Sequence, residues 1–143
     1  MPIPNAIVRT LELAHPADKV WAALSTPDGL SGWFGKDVQG DVTPGAELTM
    51  SFEGGHTAEL SVKVVDPQSV FAYCWKVYGV PDDDPRRTYV EFRLSPAGSG
   101  TTLTVTESGF AQMPDEWLSS YEGNTQGWAS ELGELVTYLD AAA

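Results

Sequence analysis

Apolar and polar positions alternate along the chain with a period that switches from two to about 3.6 and back, and the switches divide it into elements. Ile7 to Leu13 reads as a first strand. Pro16 opens a helix at the permissive first-turn position, with Asp18 near the positive end of its dipole and Ala17, Val20, Trp21 and Leu24 along one face. Thr26-Pro27 closes that helix, because the residue before proline is pushed away from the α region. A second short helical turn over Asp28 to Gly32 delivers Trp33 and Phe34.

From Val38 to Phe110 the period is two, which predicts an antiparallel meander. Ala46, Leu48, Met50 and Phe52 share one face while Glu47, Thr49 and Ser51 share the other, the pattern of a sheet wet on one side. Gly54-Gly55 supplies a hairpin turn. Ala58, Leu60, Val62 and Val64 point inward on the next strand, which Asp66-Pro67 ends. Phe71, Tyr73, Trp75 and Val77 follow, and then Val90, Phe92 and Leu94. After a turn over Ala97 to Gly100, Leu103, Val105 and, by the same parity, Glu107 face inward.

Pro114 starts the last element, with Asp115 and Glu116 beside its positive end. Trp117, Tyr121, Trp128, Leu132, Leu135 and Leu139 then recur on one face of a helix about 39 Å long if unbroken. Gly123 and Gly127 each weaken it by about 1 kcal/mol relative to alanine, so a bend or a separate initial segment is expected there. Leu132, Leu135 and Leu139 form an anchor, and the aromatic first half is where a pocket wall is expected.

The 143 residues suit one α+β domain spanning 1–143, and the apolar share of 42% with 20% charged residues is that of a soluble globular chain. The opening MPIPNAIVRT has neither a signal-like h-region nor a membrane anchor, so cytoplasmic residence is the default and membrane insertion is not expected. A net charge of −12 repels phosphate backbones and excludes nucleic acid as an expected partner. Cys74, as the one cysteine, makes no internal disulfide, and with only His15 and His56 there is no zinc-ligand spacing. Three successive carboxylates in VPDDDP read as a solvated loop, because consecutive side chains rarely converge on a cation. No cofactor or metal is expected.

The order of elements, with VWAAL followed by DGLSGWF, then GTTLTVTESGF, then GW with leucines at helical spacing behind it, resembles the heat-shock-protein-90 ATPase activator-like family of the START-like (SRPBCC) superfamily. The resemblance runs from Ile7 to Leu139. It implies a helix-grip fold: a curved seven-stranded antiparallel sheet wrapped around the last helix, with two short helices after the first strand closing one end. It also implies a cavity for an apolar ligand between sheet and helix. The additional N-terminal domain of the eukaryotic co-chaperone is not expected here, and the oligomeric state is left open.

A cavity needs apolar surface and a few orienting polar groups. Trp33, Phe34, Trp75, Phe110, Trp117, Tyr121 and Trp128 are the candidate walls, although burial alone would also place each in the core. Glu107 is the candidate polar group, since an inward carboxyl must be protonated, paired or in contact with water. If the first and last strands are antiparallel neighbours, as the resemblance implies, Arg9 would satisfy it, or the indole N–H of Trp128 would; alternatively, a bulge before Gly109 would turn it out to solvent. No nucleophile elbow or phosphate-binding glycine loop is present, and His15 and His56, at a helix entry and a hairpin tip, are expected to be exposed. The expected function is binding of an apolar or aromatic small molecule without catalysis. Two alternatives stay open: a polyketide cyclase or aromatase-like enzyme using Glu107 and a tyrosine as acid-base groups, and a co-chaperone or protein-interaction module.

Overall fold

The computed structural model describes residues 4–52, 55–77, 81 and 83–141. Its elements run β1 (Ala6–Leu13), α1 (Ala17–Ser25), α2 (Pro27–Trp33), β2 (Lys36–Gln39), β3 (Glu47–Ser51), β4 (Thr57–Asp66), β5 (Val70–Trp75), β6 (Thr88–Ala97), β7 (Gly100–Ser108), two 3-10 turns (Phe110–Gln112 and Asp115–Trp117) and α3 (Leu118–Ala141). The expected Gly54-Gly55 turn and VPDDDP loop lie partly outside the described residues.

The strands form one seven-stranded sheet in the order β1-β7-β6-β5-β4-β3-β2, antiparallel throughout. α3 crosses its concave face, with α1 and α2 at one end. This is the helix-grip architecture. The period-two faces account for it: Leu48, Met50, Leu60, Val62, Phe71, Tyr73, Val90, Phe92, Leu103 and Val105 are all at most 1% exposed and meet in one core. Against them α3 buries Trp128, Leu132, Leu135 and Leu139, and each fully buried aliphatic side chain contributes about 1.5–3 kcal/mol.

Thr26 is both the end of α1 and the cap of α2. Its extended backbone (φ −130°, ψ 147°) stops the first helix, and its Oγ1 accepts the Gly29 N–H at 2.9 Å while donating to Ala22 O at 2.8 Å. Pro27 then occupies the first helical position. Pro16 and Pro114 stand one residue earlier than expected: their ψ values of 158° and 153° make them caps rather than first-turn residues.

Three other expectations change. A register shift between Val62 and Val64 inserts an extra residue into β4, so Val65 rather than Val64 joins Phe71 on the inner face. α3 runs unbroken through Gly123 and Gly127, and the discontinuity falls earlier, where Trp117 ends a 3-10 turn before Leu118. His15 is buried, 8% exposed, because the end of α3 packs on it. Its Nε2 lies 2.8 Å from Asp140 Oδ1, and Lys19 Nζ lies 3.3 Å from its Nδ1 and donates to Leu139 O at 3.0 Å. The C-terminus of α3 is thereby latched to the start of α1.

Candidate functional site

Glu107 sits near the end of β7, opposite Val90 on β6 and Ile7 on β1. No register shift precedes Gly109, so the carboxyl stays inside and is 0% exposed. Gly109 itself adopts a left-handed φ of 106°, which sends the chain into the first 3-10 turn only after Glu107 has been placed.

Four donors converge on this carboxyl group. Oε1 accepts from Trp128 Nε1 at 2.8 Å and from Asn124 Nδ2 at 3.0 Å; Oε2 accepts from Trp75 Nε1 at 2.7 Å and from Thr88 Oγ1 at 2.5 Å. Indole and amide N–H groups can only donate, so the bonds from Trp75, Trp128 and Asn124 require Glu107 to be the acceptor. A buried carboxyl without partners is costly, and four hydrogen bonds offset its burial without a cation. Among the described residues no cation pairs with it. Of the two expected partners, Trp128 is bonded to it, whereas Arg9 lies opposite Val105, one inward position from Glu107 along β1, and its buried Nε has no hydrogen-bond partner.

The effect of these bonds is to fix two tryptophans. Trp75 arrives from the end of β5, Trp128 from the middle of α3, and both are turned so that their nitrogens point to Glu107. Their ring centroids are 6.0 Å apart, and Phe34, from the end of α2, lies 5.7 Å from Trp75 and 5.6 Å from Trp128. Phe52 meets Phe34 edge-on at 5.8 Å. Tyr73, behind Trp75 at 5.3 Å, is fully buried, and its phenol pKa is raised well above 10 by desolvation and by the nearby Glu107 and Glu131 carboxylates.

This aromatic wall borders a groove of about 940 Å³ between the sheet and α3. On the helix side Gly123, Asn124, Gly127, Trp128 and Glu131 line it, all on one face at helical spacing. A Cβ built on Gly123 or Gly127 would meet nothing within 4 Å, so their missing side chains leave open space that other residues would fill. A second groove of about 480 Å³ lies beyond Phe34, Phe52 and Glu131, which border both.

Of the aromatic residues named from the sequence, Phe34, Trp75 and Trp128 line the main groove, while Glu107 stands behind the two tryptophans rather than on its surface. Trp33 stacks on Phe34 at 5.0 Å, donates to Ala23 O and borders only the second groove. Phe110 and Tyr121 pair edge-on at 5.1 Å beside β1, where Tyr121 donates to Ala6 O; with the half-buried Trp117 they lie away from both grooves. Sequence reasoning passed over Asn124 and Thr88. Thr88 shares the parity of Val90 and Phe92, and Asn124 stands one helical turn before Trp128, so both signals were present. His56 is exposed and borders the main groove. No helix among the described residues is long and apolar enough to cross a membrane.

Comparison with solved structures finds the same fold in several proteins. The chain is similar to MLL2253 from Mesorhizobium loti at 26% identity, with 96% of this chain and 98% of that one aligned at a TM-score of 0.83. It is similar to DynU16, from the dynemicin biosynthetic locus, at 25% identity and a TM-score of 0.81, where 97% of this chain covers 48% of that one. The Aha1 dimer from Colwellia psychrerythraea shares the fold at 22% identity and a TM-score of 0.76, with 94% of this chain and 95% of that one aligned. A comparison with curated proteins found no match. Residues 14–140 match the family model described as activator of Hsp90 ATPase homolog 1-like protein, so the chain belongs to that family, within the START-like superfamily.

Proposed function

We propose that this protein binds an apolar, aromatic small molecule in the groove between the sheet and α3, without transforming it. The observation that carries the reading is the commitment of both groove-side indole nitrogens, Trp75 Nε1 and Trp128 Nε1, to one buried carboxyl. With their only polar atoms turned inward, the two tryptophans and Phe34 offer apolar ring surface to the groove. A flat ligand would stack there, and aromatic pairs contribute about 0.5–1.5 kcal/mol beyond area burial. The volume of about 940 Å³ falls within the range of small-molecule sites. Glu107 supports this reading more than the cyclase-like alternative, since all four of its acceptor directions are filled and it does not border the groove.

Intrinsic tryptophan fluorescence, titrated with fatty acids, sterols, flavonoids and polyketides, tests the proposal. Saturable quenching by planar aromatic compounds is expected. Silence across such a library overturns it. A chaperone-directed role rests on the family description alone; stimulation of a heat-shock-protein-90 ATPase by the purified protein is the assay that would establish it.

A further inference from the structure

We propose that the ligand of this groove carries an anionic group, a carboxylate or an acidic phenol or enol, and that Arg87 receives it. The inference rests on the groove being the binding site and adds the chemistry of what binds there. Arg87 borders the groove and immediately precedes Thr88, which bonds the same Glu107 oxygen as Trp75. Arg87, which is exposed, thereby supplies a cation at the edge of the groove. Its guanidinium is held in place from one side, with Nη1 donating to Asp84 O at 2.8 Å and to Arg86 O at 2.9 Å. The Arg87 carbonyl is held as well, accepting from Gln112 Nε2 at 2.7 Å.

The Asp84 carboxylate feels the Arg87 charge but makes its hydrogen bonds to Arg86. Asp84 is occupied by Arg86, whose Nε and Nη2 reach its carboxylate at 3.0 Å and 2.6 Å, and that clamp lowers the Asp84 pKa to about 2. Among the described residues Arg87 forms no ion pair, so its remaining N–H groups are open to a ligand. Glu47 and Glu59 line the β3 and β4 side of the groove and Glu131 its helix side, while Lys76 follows the end of β5 beside Trp75. The groove is therefore polarised, and an aromatic acid would enter with its charge toward Arg87 and its rings on Trp75 and Trp128. In a chain of net charge −12, Arg87 and Lys76 are the two basic residues among those that line the groove, and Arg87 is the one next to Thr88.

Two matched probes separate this claim from the groove reading itself: 1-anilinonaphthalene-8-sulfonate and its neutral counterpart N-phenyl-1-naphthylamine. Both are titrated against the full chain, the Arg87→Gln variant and the Gly127→Leu variant, with thermal melts confirming that each variant is folded. Loss of a charge-assisted contact should weaken sulfonate binding about tenfold in Arg87→Gln, leave the neutral probe within about twofold, and be partly restored in Arg87→Lys. Gly127→Leu should abolish binding of both. If Arg87→Gln leaves the sulfonate affinity unchanged while Gly127→Leu blocks both probes, the anion assignment is overturned and the groove reading stands. If Gly127→Leu affects neither probe, both are overturned.

Discussion

Glu107 joins three elements, β5, β6 and α3, through four hydrogen bonds, and its substitution is correspondingly informative. In Glu107→Gln the amide nitrogen must replace one oxygen. On the Oε1 side it would face two donors, Trp128 and Asn124; on the Oε2 side it would face Trp75, with only Thr88 able to become an acceptor. At least one buried donor is then left unmatched, for an expected loss on the order of 2 kcal/mol in urea denaturation. Tyr73 supplies a pH test. Its folded pKa is raised above the unfolded value near 10, so the fold favours the neutral phenol. Stability from this residue is fully present below about pH 10 and is lost as pH rises beyond it, because the unfolded chain releases the proton first. Phenolate absorbance should show Tyr73 ionising only together with alkaline unfolding; ionisation while the fold persists near pH 10 would contradict the placement.

At the scale of elements, glycines distinguish packing from open groove. Gly29 in α2 stands where a Cβ would come within 2.3 Å of Ala22 O and 2.8 Å of Ala23 Cα, both backbone atoms of α1. Gly29→Ala should push the two helices apart and destabilise the fold by about 1–3 kcal/mol. Gly127→Ala should do the reverse, gaining about 0.8–1 kcal/mol of helix propensity because the new methyl group meets nothing. Paired thermal melts check both signs. Much of this level was readable from sequence: the strand faces, the two short helices and the α3 stripe follow from periodicity and from Thr26-Pro27. The β4 bulge was not, because Val64 and Val65 are both β-branched and apolar and only the pairing with Phe71 and Ala72 decides which turns inward. The burial of His15 was equally hidden, since its partners Asp140 and Leu139 O come from the other end of the chain.

For the whole molecule, the site is made where distant segments meet on the concave face. Parity alone placed Glu107 and Trp75 inside, and the helical stripe placed Trp128 there. Which aromatic residues would gather was set by the curvature of the sheet and the crossing of α3: Phe34 reached the groove, whereas Phe110 and Tyr121 paired at the β1 edge. The central claim is that the groove beside Trp75 and Trp128 binds an aromatic small molecule, and the indole N–H resonances of 15N-labelled protein test it most directly. On titration with N-phenyl-1-naphthylamine, the resonances of Trp75 and Trp128 should shift saturably and together, while those of Trp21 and Trp117, which do not line the groove, stay fixed. Shifts confined to Trp21 or Trp117, or no saturable shift at Trp75 and Trp128, would contradict it.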